Sequence, residues 1–216
     1  MIDRCWVAQV PVALLLIWFS TGCAQRLPAD VVASQKLNQH TPKNADQIVL
    51  SVTLFILDDH EQVFSSQRTA EEVLDIQDHV NEIWQQANIY FVVEEVRRVV
   101  VPIDITANVI RREIDQFFQT IATEGDVFQT GSHISGFYVQ TLKGDNGLHP
   151  VGYPAFFAAD DTLNDPERVV AHELGHILGL KHTVNRPERL MQSGANGINL
   201  TDGEILLARQ NASKLK

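Results

Sequence analysis

Between Val169 and His182 the chain reads VVAHELGHILGLKH. Its aliphatic residues recur at helical spacing, so most of this stretch must pack as a buried helix. Burial of three histidines and a glutamate has to be compensated, because polar groups lose their water there. His172 and His176 are four residues apart, one turn apart on one helix face, where their rings can share one ion. Imidazole nitrogen suits zinc. Glu173 lies about 100° further around the helix, beside such an ion rather than bound to it. A carboxylate in that place can act as general base towards a metal-activated water.

His182 cannot join that ion from a continuing helix, which would carry it roughly 9 Å further along the axis. The chain has to reverse, and Gly179 stands where a left-handed C-terminal cap permits the turn. Once reversed, His182 supplies a third ligand and leaves a fourth position open to water, as in catalytic rather than structural sites. Val169, Val170, Leu174, Ile177 and Leu178 form the face that buries the helix.

Upstream, strand and helix patterns alternate. Gln47 to Asp59 is β-rich, and Thr69 with Glu72 forms a capping-box pattern that opens a helix running to about Ala87. IYFVVEEVRRVVV is a second strand, Asn108 to Ala122 repeats the helical period, and ISGFYVQTL is a third strand. The ion-binding helix starts near Pro166, a favoured first-turn residue. Thr201 and Glu204 open a last helix reaching about Ala212. This alternation predicts a single α/β (α+β) domain over residues 46–216, with a twisted mixed sheet, an active-site helix and a C-terminal helix.

The first residues are different material. Arg4 precedes WVAQVPVALLLIWF, about fourteen mostly apolar residues, followed by STGC. A membrane-spanning helix needs roughly 20, so residues 1–22 read as an export signal peptide. TGC resembles the end of a bacterial lipobox, with Cys23 lipidated at the mature N-terminus, although Ser20 stands where lipoboxes carry an aliphatic residue. Cys5 and Cys23 are the two cysteines of the chain. Cleavage before Cys23 leaves one thiol in an oxidising compartment, which acylation accounts for. Residues 23–45, polar and containing Pro28 and Pro42, read as a tether. A membrane-anchored lipoprotein of the cell envelope is therefore expected, with plain secretion or a periplasmic location as the alternative. The net charge of −10 argues against a nucleic-acid partner. A monomer is expected.

HELGHILGLKH resembles the elongated zinc motif HExxHxxGxxH of the metzincin metalloendopeptidases. Met191, in RLMQSGANG, stands nine residues after His182 and resembles the methionine turn those enzymes place beneath the metal. Ser193 occupies the position where astacin-like and serralysin-like members carry a tyrosine ligand, and Thr183 leaves the subfamily open. The resemblance implies one catalytic Zn2+ on His172, His176 and His182, and hydrolysis of a peptide bond in a protein or peptide substrate. Glu173 would take a proton from water and pass it to the leaving amine. It also implies a substrate stretched along an edge strand, for which GYPAFFAA (Gly152 to Ala159) is the expected segment, and a pocket walled by Gln192 to Ile198.

Weaker patterns stand beside these. GDNG (Gly144 to Gly147) with Asp160 and Asp161 could build a Ca2+ site, although turn chemistry is the default reading. His133 and His149 read as surface or capping histidines rather than ligands. The competing function is a non-catalytic metal-binding lipoprotein of metzincin fold acting in binding or assembly. Glu173 speaks against it, since holding zinc needs the histidines but not that carboxylate.

Overall fold

The computed structural model describes residues 27–37 and 43–216. The expected signal peptide, residues 1–22, and Cys23 lie outside the described residues. Among the described residues no helix is long and apolar enough to cross a membrane.

Six strands form one mixed sheet: β1 (Asp30–Lys36), β2 (Ile48–Asp59), β3 (Ile89–Val101), β4 (Ile134–Val139), β5 (Gly147–Leu148) and β6 (Ala155–Ala159), in the order β1-β3-β2-β4-β6-β5. The four inner strands run parallel, and the two outer ones, β1 and β5, run antiparallel to their neighbours. Parallel neighbours need crossovers, and these are helical. Helix α1 (Ala70–Trp84) links β2 to β3, while α2 (Ile103–Ile110) and α3 (Ile114–Ile121) link β3 to β4. Helices α4 (Pro166–Ile177) and α5 (Asp202–Leu215) close the chain.

β2 shows why the sheet is covered on both sides. Leu50, Val52, Leu54 and Ile56 point into a core shared with α1, α4 and α5. Phe55 and Leu57 point the other way, into a core built with Ile105 and Val109 of α2 and Phe117 and Ile121 of α3. A strand buried on both faces reads as a continuous apolar run, as this one does. In β3 the pairing with β2 shifts by one residue after Val93. That bulge moves the even-numbered residues onto the α1 side and leaves Val99 and Val101 on the α2–α3 side.

Two expectations are corrected. The helical period over Asn108 to Ala122 is interrupted, because Arg112 adopts φ 62°. The Glu113 N–H then closes onto the Asn108 carbonyl at 2.8 Å, and two eight-residue helices replace one. Neither glycine nor proline marks the break. The stretch read as a tether also contributes β1, which pairs with β3 from Asp30↔Val100 to Lys36↔Glu95. β3 would otherwise present an open edge, and polar residues such as Ser34, Gln35 and Lys36 suit an edge strand as well as a linker.

Candidate metal centre

Helix α4 begins with Pro166 at its first turn. Its inner face, Val170, Leu174 and the following Leu178, is fully buried against the sheet. Full burial of such side chains is worth roughly 1.5–3 kcal/mol each. That anchor fixes the opposite face, on which Arg168, His172 and His176 follow one another at four-residue spacing.

The helix ends in a left-handed turn. Gly179 has φ +82°, its N–H donates to the His176 carbonyl at 2.9 Å, and the Leu180 N–H donates to the Gly175 carbonyl at 2.9 Å. This pair of bonds is the Schellman closure, which glycine adopts without the penalty a side chain would bring. Asn211 of α5 reaches the same turn, its Nδ2 donating to the Leu178 carbonyl at 2.9 Å. After the turn the chain runs back over α4. His182 Nε2 comes to 3.1 Å from His172 Nε2 and 2.9 Å from His176 Nε2.

Each inner ring is aimed by its other nitrogen. His172 Nδ1 donates to the Leu190 carbonyl at 2.7 Å and His176 Nδ1 to the Leu180 carbonyl at 2.9 Å. With Nδ1 carrying the proton, Nε2 presents a lone pair to the common centre. Burial pushes His172 down to about 3 and lowers His176 as well, so both rings are neutral near pH 7. One ligand atom from each of the three residues lies within 4.8 Å of the others, and among the described residues no other group of His, Cys, Asp or Glu does this. Three convergent imidazoles facing a cleft of about 430 Å³ are the donor set zinc takes with one position left open.

Glu173 lies beside this centre and is 7% exposed. Burial pushes its carboxyl up to about 8, partly opposed by the nearby Arg168 guanidinium and by the backbone N–H of His149. A cation on the three nitrogens would favour the carboxylate form. Beneath the histidines, Met191 is fully buried with its Sδ against Gly175, where an added Cβ would come within 2.6 Å. The Met191 carbonyl accepts from the Thr183 N–H at 2.9 Å, which ties the methionine segment to the residue after His182.

Residues 113–210 match the model of a peptidase family, M43, described as pregnancy-associated plasma protein-A. By structure, the chain is similar to archaemetzincin from Methanopyrus kandleri, with a TM-score of 0.53 and 14% identity over 78% of this chain and 97% of that one. The fold also recurs in a chain from a chaperone–substrate complex, with a TM-score of 0.55 and 13% identity over 80% of this chain; the match spans 35% of that protein. No curated protein matches in sequence.

The chain shares the fold of archaemetzincin.

Within this fold the edge beside the cleft is β5, not the expected GYPAFFAA segment. β6 is buried along its whole length between β4 and β5, so its hydrogen-bonding edge is already used. Gly147, Leu148 and His149 line the cleft instead, with Ser193 and Gly194 from the expected pocket wall. His149, read as a surface or capping histidine, does cap the Ala155 carbonyl through Nδ1 at 3.0 Å, but its ring lies in the cleft, 6.2 Å from that of His176. His133 bonds the Ser51 backbone N–H at 3.0 Å, away from the centre. Two acids of the calcium reading are engaged elsewhere: Asp145 pairs with Arg112, and Asp160 accepts from Ser66 Oγ at 2.9 Å and from the Gln67 N–H.

Two further residues support the centre. Arg168 donates through Nη2 to the Leu190 carbonyl at 2.7 Å and to that of Gln192, so one carbonyl both orients His172 and receives Arg168. Its position four residues before His172, amid aliphatic residues, was a readable sign. Asn211 carried none, because its partner is 33 residues away.

Proposed function

We propose that this chain is an exported zinc endopeptidase that cleaves peptide bonds in extended protein or peptide substrates. The observation that carries the reading is the convergence of three Nε2 atoms within 4.8 Å at the floor of an open cleft, with Glu173 beside them. The match to a peptidase family model over residues 113–210 supports the same class.

His172, His176 and His182 would hold the zinc. Zinc bound there supplies Lewis acidity to a peptide carbonyl and to a water. The protein provides the rest. Glu173 accepts the proton of the attacking water and delivers it to the departing amine nitrogen, so no covalent enzyme intermediate is needed. The free side of β5 pairs with the substrate backbone, and the segment around Ser193 and Gly194 receives a side chain next to the scissile bond. Residues 1–22 direct export, and Cys23 takes a lipid that anchors the domain to a membrane.

The test is a digest of a peptide library by wild type and by Glu173→Gln, with zinc measured in both. The reading expects one zinc per chain in each, turnover abolished by chelator, and at least about a thousandfold loss in Glu173→Gln, within the range general-base catalysis supplies. Full activity in Glu173→Gln would refute the assigned base. A zinc-loaded wild type that cleaves nothing would return the chain to the non-catalytic alternative.

A further inference from the structure

The two-residue edge strand lies on top of the candidate base. A Cβ added at Gly147 would fall 2.8 Å from Glu173 Oε1, 2.9 Å from Glu173 Cγ and 2.8 Å from Val169 Cγ1. All three separations are shorter than carbon–carbon or carbon–oxygen contacts tolerate. The glycine is not needed for its backbone, since Gly147 is not among the residues with positive φ. Two residues on, the His149 backbone N–H faces the same carboxylate.

We propose that Gly147 is a positioning residue for Glu173: its missing side chain leaves the slot in which the carboxylate is held between α4 and the edge strand. This rests on the peptidase reading only in naming Glu173 as the base. The strand cannot lift away to make room. Gly147 pairs with Ala158, Leu148 with Phe157, and the Ala159 N–H donates to the Asn146 carbonyl at 3.0 Å. Val169 is β-branched and buried on the helix, so its rotamer is stiff. What can yield is the end of the Glu173 side chain. A methyl group at position 147 therefore displaces the base and strains the contact with Val169 locally, while the three imidazoles, which it does not meet, stay in place. Because the free side of the same strand would pair with substrate, peptide docking and base position share one two-residue element.

The test uses the full zinc-loaded chain carrying Gly147→Ala, Glu173→Gln or both. In Gly147→Ala, kcat should fall at least about tenfold with KM within about twofold, as displacement of a catalytic group by about an ångström predicts. Zinc should stay at one per chain and unfolding should stay cooperative, with the melting temperature modestly lowered because the methyl also meets Val169 Cγ1. A readout independent of turnover is the affinity for acetohydroxamate, a zinc ligand whose acidic proton needs a carboxylate acceptor. Each single variant should weaken it at least about fivefold, and the double variant no further than the weaker single, the non-additivity of residues acting through one group. Unchanged kcat, a raised KM alone, additive hydroxamate losses, or loss of zinc or of cooperative unfolding in Gly147→Ala would each overturn the proposal. Should wild type cleave no peptide, the peptidase reading fails, while the hydroxamate cycle still decides whether Gly147 acts through Glu173.

Discussion

Glu173 and His172 are neighbours in the chain that burial drives in opposite directions: the carboxyl up to about 8 from its usual 4.5, the imidazole down to about 3 from its usual 6.5. Between 3 and 6.5 the unfolded chain binds a proton at His172 that the folded chain refuses, so this group makes stability fall with acid. Between 4.5 and 8 the folded chain holds a proton at Glu173 that the unfolded chain has released, so stability falls as pH rises through that range. The two slopes oppose each other from 4.5 to 6.5. Metal-free protein should accordingly be most stable in that interval and weaken on both sides. Urea denaturation across pH tests this, and Glu173→Gln should flatten the alkaline limb alone. An alkaline limb unchanged in Glu173→Gln would show that the carboxyl is not held neutral by burial. His172, Glu173, His176 and His182 were legible in the sequence because spacing on a helix is a local property. The slot above Glu173 was not, because Gly147 meets it only after the sheet has formed.

The turn between α4 and His182 is the element on which the centre depends. Gly179 could be read from its place after the helical period, and its left-handed φ and the two bonds that close the turn fit that reading. Replacing it with alanine imposes a left-handed side chain, costing about 1 kcal/mol or more, and drives the new Cβ against Asn211. Zinc affinity of Gly179→Ala should fall at least about tenfold, read by competition with a chromogenic chelator. Asn211→Ala leaves the Leu178 carbonyl without that donor and should cost about 1 kcal/mol in chemical denaturation, while zinc still binds. If Asn211→Ala instead abolished zinc binding, α5 rather than the glycine turn would be what places His182. Arg168 acts on the other side, holding the segment that carries Leu190 and Met191.

At the scale of the whole molecule, the sequence disclosed the alternation of strands and helices but misplaced what lies at the two sheet edges. Inner strands announce themselves by apolar runs such as that of β2, whereas β1 is polar and β5 is two residues long. Edge strands are specified by the neighbour whose backbone they satisfy, and that neighbour is remote in sequence. A chain beginning at residue 27 should therefore melt cooperatively, while one beginning at residue 43 should melt lower and aggregate, since it exposes the outer edge of β3. Equal melting of the two by calorimetry would mean that β1 adds nothing. The centre as a whole depends on one ion being shared by three imidazoles from two sides of a chain reversal. X-ray absorption spectroscopy of the zinc-loaded protein measures that directly. It should give three imidazole nitrogens at about 2.0–2.1 Å, recognised by outer-shell ring scattering, plus one oxygen ligand without it, falling to two imidazoles in His182→Ala. A wild-type spectrum with two imidazoles, unchanged by that substitution, would contradict it.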